Sequence, residues 1–91
     1  MSLVHTVLLQ FKEDAAPETV KEPYILSIKG GRDNSAEGMQ GGITHGFVVE
    51  FATAADRDYY AKNDPAHLAY AASLRALVTK AVVVDFADGV Y

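Results

Sequence analysis

The sequence predicts one α+β domain, a four-stranded sheet with its helices on one face. Three observations predict it. Apolar and polar residues alternate with a period of two in four separate segments. Two consecutive helix start signals stand between the third and the fourth of these. At 91 residues there is room for a single core, and 49 % hydrophobic residues can fill it without disulfides or a structural metal.

The elements follow in order. Residues 2–11, SLVHTVLLQF, put Leu3, His5, Val7, Leu9 and Phe11 on one face and Val4, Thr6, Leu8 and Gln10 on the other. Lys12–Pro23 is charged and holds Pro17 and Pro23, so only about one helical turn fits there. Fully extended, that segment reaches ~40 Å, enough to run back along a strand while covering little of the sheet. Tyr24–Lys29 is a second strand with Tyr24, Leu26 and Ile28 inward, stopped by Gly30-Gly31. Arg32–Gly42, rich in Gly with Asn and Ser, is a long hairpin connection or a mobile flap. Thr44–Ala52 is a third strand with His45, Phe47, Val49 and Phe51 inward.

Thr53, with Asp56 three residues on, resembles a capping box, and Ala54–Lys62 continues as a short helix ended by Asn63. Asp64-Pro65 starts a longer helix of about residues 65–79, because Asp accepts from the free amides of a first turn and Pro lacks only an N–H not needed there. Its inner stripe runs His67, Tyr70, Leu74, Leu77 and Val78. Ala81–Phe86 is the closing strand, with Val82, Val84 and Phe86 on one face and Asp85 on the other. Strand, short crossover, two strands, a helix pair and a last strand fit a ferredoxin-like β-α-β-β-α-β protomer with a shortened first helix, in which strands one and three are neighbours. The helix-free face then carries Val4, Thr6, Leu8, Val48, Ala81 and Val83, too apolar to stay wet, so a homodimer is expected to bury it.

A net charge of −4 argues against nucleic acid as a partner, since that affinity rests on clustered Lys and Arg. The absence of cysteine excludes disulfides, thiolate metal sites and thiol nucleophiles. The N-terminus lacks the basic n-region of a signal peptide, and no apolar stretch approaches the ~20 residues of a membrane span, so a cytoplasmic location without membrane contact is expected.

All three histidines, His5, His45 and His67, fall on inward faces. Singly, each reads as a hydrogen-bonded core residue; together they suggest one polar-lined cavity. His67 is at the third position of its helix, where the unpaired amides and the positive dipole end favour a neutral imidazole suited to general-base work. Tyr59 and Tyr60, one helix earlier, can supply a phenolic donor, although an adjacent pair cannot both face one cavity. Phe47 and Tyr70, on inward faces beside the histidines, are candidate substrate contacts with His5 and His45. Three imidazoles also suit zinc or copper, but ligands on three separate elements have no diagnostic spacing, so neither metal nor cofactor is expected.

The strings H-T-V-L-L-Q-F-K, T-H-G-F-V-V-E-F, Y-Y-A-K-N-D-P-A-H-L-A-Y and V-V-V-D-F span nearly the whole chain and resemble the stress-responsive dimeric α/β-barrel (Dabb) family. Asp64-Pro65-Ala66-His67 is the most specific of them, and S-I-K-G-G-R-D-N-S, residues 27–35, looks most like fungal members. The resemblance implies a ferredoxin-like protomer that pairs into a barrel. Through olivetolic acid cyclase, the plant polyketide cyclase of this family, it also implies cofactor-free proton transfer with His67 as base, His5 and His45 in the pocket, and Tyr59 or Tyr60 as the tyrosine. Two functions follow: a cyclase or lyase type enzyme acting on a small apolar oxygenated ligand, or a non-catalytic stress-induced dimeric barrel or binding domain.

Overall fold

Strict alternation in two segments builds the centre of the sheet. In the computed structural model, which describes residues 2–12 and 23–91, β1 (Leu3–Phe11) lies between β3 (His45–Phe51) and β4 (Val78–Ala87), with β2 (Ile25–Arg32) at the edge beside β3. The order is β2-β3-β1-β4, all antiparallel, and the fold is ferredoxin-like. Pairing of His5 with Val49 and of Val7 with Phe47 brings the inward residues of β1 and β3 together. The shortened first helix expected in Lys12–Pro23 falls within residues 13–22, outside the described residues.

Two helices join β3 to β4: α1 (Ala54–Lys62) and α2 (Pro65–Leu74). The Thr53 hydroxyl caps α1 by accepting from the Asp56 amide at 3.1 Å, and Asn63 ends it. One Asp64 carboxylate oxygen caps α2, accepting from the amides of Ala66 at 2.9 Å and His67 at 3.3 Å. The helix expected to reach residue 79 ends at Leu74, followed by a 3₁₀ turn over Arg75–Leu77 and then β4. The β-branched pair Val78-Thr79 joins the strand, where the amide of Lys12 donates to the carbonyl of Leu77. Leu77 is left exposed and not on the inner stripe.

Strand β2 departs from its expected pattern in two ways. Ile25 pairs with Phe51 and Ser27 with Glu50, so Leu26 is an extra residue in a bulge. The bulge breaks the period of two: Ile25 and Ile28 both pack on the core, while Leu26 is exposed. Nor do Gly30 and Gly31 end the strand, which runs on to Arg32. The Phe47 ring lies across Gly30, where an added Cβ would meet its Cδ1 at 2.4 Å, so Gly30 is required for close approach and not as a stop. Residues 33–44 are the hairpin connection: the Asp33 carboxylate accepts from the Ser35 amide and the Gln40 amide group, and Gly41 and Gly42 take positive φ.

The faces of β4 are the reverse of those expected. Asp85 pairs with inward His5, Val83 with Val7 and Ala81 with Leu9, so Asp85, Val83 and Ala81 lie on the helix-covered side. Val82, Val84 and Phe86 pair with Leu8, Thr6 and Val4 and lie on the helix-free side. A run of three valines has no polar partner to set its phase, and hydrogen bonds from His5 and Arg57 offset the burial of the carboxylate. The core itself is compact: Ile25, Val49 and Phe51 are buried, with Tyr24, Ile28 and Tyr60 packed against them.

Candidate active site

Between the sheet and α2 lies a cavity of about 760 Å³, within the usual range for a small-molecule site. Val7, Leu9, Val49, Ala81 and Val83 form its floor, Phe47 and Ile28 one wall, and Tyr70, Ala71 and Leu74 of α2 its roof. The alanines of α2 are too short to fill this space. At one end the apolar lining gives way to His5, Tyr60 and His67. The Tyr60 and His67 rings are 3.8 Å apart between centroids, and Tyr60 stands 5.8 Å from His5, edge to face.

His5 is oriented from behind. Its Nδ1 lies 2.7 Å from Asp85 Oδ1, and because a carboxylate only accepts, Nδ1–H donates and leaves Nε2 for a ligand. The other Asp85 oxygen accepts from the Arg57 guanidinium at 2.9 Å, and Arg57 Nε donates to Asp58 at 2.8 Å. These bonds, to Asp85 first and then Asp58, raise the Arg57 pKa further above its usual range. A line of alternating charge therefore runs from α1 through β4 to the cavity. His67 differs: burial first, then the nearby His5, push its pKa below the ordinary 6.5, and the Asp64 charge only partly opposes this. Asp64 in turn is held below its ordinary 3.8, chiefly by the hydroxyl of Tyr24 and then by the two α2 amides. His67 is thus a neutral imidazole at neutral pH.

The expected site residues separate into two groups. His5, Phe47, Tyr60, His67 and Tyr70 all line the cavity. Tyr59 does not: it is exposed and stands against Tyr24, because adjacent helical residues point about 100° apart. His45 does not join the other histidines either, so the three do not line one cavity. It is buried against Phe11 at the far end of β1, and its Nδ1 is 2.9 Å from the Thr44 hydroxyl. Among the described residues no group of three His, Asp or Glu side chains is placed to hold a metal ion. Asp85 and Arg57 were not foreseen. The available signal was an acid inside an otherwise apolar strand, which in register falls opposite His5.

The chain matches the model of the stress responsive A/B barrel domain (Dabb) over residues 3–88 and belongs to that family. Among solved structures it is similar to the Arabidopsis thaliana protein At3g17210, with 25 % identity, a TM-score of 0.75, and 98 % of this chain and 97 % of that one covered. It is also similar to a dimeric ferredoxin-like protein of unknown function from Jannaschia sp., at 23 % identity and a TM-score of 0.78 over 96 % of this chain and 99 % of that one. A hydroxynitrile lyase from Passiflora edulis shares 19 % identity and a TM-score of 0.78 over 99 % and 96 %. No curated protein matches it in sequence. No helix among the described residues is long and apolar enough to cross a membrane.

Proposed function

We propose that the chain is a homodimeric, cofactor-independent enzyme that transfers a proton on a small apolar oxygenated molecule, as a polyketide cyclase or a hydroxynitrile lyase does. The observation that carries it is the pairing at one end of an apolar cavity of two imidazoles in different surroundings, His67 half-buried and neutral, His5 buried and backed by Asp85. In this reading His67 takes the proton from carbon or hydroxyl, the Tyr60 hydroxyl donates to the oxygen on which charge develops, and His5 Nε2 accepts from a hydroxyl of the substrate. Asp85 holds the His5 ring with Nε2 toward the ligand, and Arg57 keeps Asp85 in place. Phe47 and Tyr70 hold the apolar body of the substrate.

The test is turnover of β-dicarbonyl compounds and cyanohydrins, with proton exchange at carbon read by NMR. His67→Ala should lower the rate about 10²-fold or more without loss of fold, since alanine is well tolerated in a helix. His45→Ala, outside the cavity, should leave the rate unchanged. Ligands that bind with no exchange and no turnover would favour the non-catalytic binding domain.

The helix-free face supports the dimer. Val48, Val84 and Phe86 are exposed there, Val84 at 55 % and Phe86 at 46 %, beside Val4, Leu8 and Val82. Face-to-face packing of two such sheets would bury on the order of 1,200 Å² or more in total. Sedimentation over a dilution series checks this: Val48→Asp should give monomers, and a wild-type chain that stays monomeric and folded would overturn it.

A further inference from the structure

The cavity has a second end. α2 runs alongside β1, because its first turn lies near His5 and the turn that follows it receives the amide of Lys12 at the end of β1. His67 and Ala71 share one face of α2; Arg75, the helical C-cap that opens the 3₁₀ turn, continues that row at the same step of four, and all three line the cavity. From His67 to Arg75 is a rise of roughly 12 Å, and the strand beneath, from His5 to Leu9, spans about the same. His5 and His67 therefore occupy one end of an apolar channel, and Arg75 lines the other. Arg75 is exposed and makes no ion pair among the described residues. Lys80 also borders the cavity, but its ammonium group points to the carbonyl of Gly41, on the far side of β4.

We infer that the ligand of this cavity is an amphiphilic carboxylate, its apolar body lying between α2 and the sheet, its anionic end on Arg75 and its reactive group about 12 Å away at His67 and His5. The inference rests on the proton-transfer reading for what happens at the histidine end, but the recognition it describes is independent of turnover. Guanidinium is the side chain best shaped to take a carboxylate by two parallel hydrogen bonds. A floor of Val, Leu and Ala and a roof of Tyr, Ala and Leu give an alkyl or aryl body of that length its apolar surroundings. The position of the cation sets orientation: a neutral molecule of the same shape can enter either way round, whereas an acid enters with its anion outward.

Decanoate and decanol are suitable probes, equal in length and differing in charge. Calorimetry gives affinity, and the ring signals of His67 and Tyr70 report on occupancy of the cavity. Decanoate and decanol should both perturb those signals. Arg75→Gln should weaken decanoate roughly five-fold, as befits an ion pair at a solvent-accessible mouth, and leave decanol unchanged. Lys80→Gln should change neither. The inference is overturned if Arg75→Gln weakens both probes equally, if Lys80→Gln acts like Arg75→Gln, or if decanoate binds without moving the His67 and Tyr70 signals. The two readings fail separately: an Arg75-dependent acid site whose His67→Ala variant turns over substrate normally removes the proton-transfer assignment and keeps the carboxylate, whereas loss of turnover in His67→Ala with no acid preference does the reverse.

Discussion

The two helices cover the same face of the sheet and do opposite things with it. α1 rests directly on β1 and β3, and beneath it Ile25, Val49 and Phe51 are closed off by Tyr24, Ile28 and Tyr60. Among the described residues α2 touches mainly α1 and the 3₁₀ turn, and the cavity lies between it and the sheet. The difference lies in the side chains. Four alanines in α2 reach the sheet poorly, whereas α1 brings the ring of Tyr60 onto Phe51 at 5.2 Å. Stability and ligand space are thus assigned to different halves of one layer, and Tyr60, with Phe51 on one side and His67 on the other, is the boundary between them.

The comparison is broken or sharpened most strongly at its packed end. Phe51→Ala should lower stability by about 3–5 kcal/mol in denaturant unfolding, the cost of emptying a fully buried site. Leu74→Ala, at a half-buried position lining the cavity, should cost well under that, and equal losses would mean that the α2 half is packed as tightly as the α1 half. Gly30→Ala comes next. Its Cβ forces the Phe47 ring to move, at about 1–3 kcal/mol, and the direction open to the ring is the cavity, so ligand affinity should fall with stability. Asp64→Ala removes the cap of α2 and leaves the Tyr24 hydroxyl without this acceptor, and a loss of about 1–2 kcal/mol in thermal melting is expected. A neutral result there would show that α2 is held by its contacts with α1 and not by its cap.

How far these halves could be read from sequence depends on whether neighbouring residues disagreed in polarity. β1 and β3 alternate cleanly, so their inward sets, including His5, Phe47 and Phe51, and their adjacency were legible. Asp64-Pro65 and Thr53 marked both helix starts because capping is a local chemical requirement. β2 departs from its alternating pattern because a bulge is set by pairing with Phe51 and Glu50, which no local pattern encodes. β4 is the reverse of expectation because three successive valines fit either face, and the carboxylate expected on the helix-free side finds His5 and Arg57 on the helix-covered one. His67 could be placed from its own helix, whereas Tyr60 was legible only as one of an adjacent pair with Tyr59. The histidine partner Asp85 could not, since its role exists only once β1 and β4 are in register.

The smallest expected effect is one of pH, and it falls on the boundary between the two halves. His67 is half-buried in the first turn of α2, and its folded pKa lies below the ordinary 6.5, first because burial disfavours the charged ring and next because His5 is near. As pH falls through 6.5 the unfolded chain takes up this proton before the folded chain does. Stability contributed by a neutral His67 is therefore complete above that pH and declines below it. Asp64, held below 3.8, adds a separate loss that begins only when pH drops under that value. Thermal melting followed from neutral pH to about pH 5 should show a shallow decline that His67→Gln abolishes, while the acid loss below 3.8 persists in that variant. An amphiphilic ligand filling the cavity should deepen the decline, because it buries the imidazole further. A decline that His67→Gln leaves unchanged would place the titrating group elsewhere, and with it the division between a packed half and a half kept open for chemistry would lose its clearest solution signature.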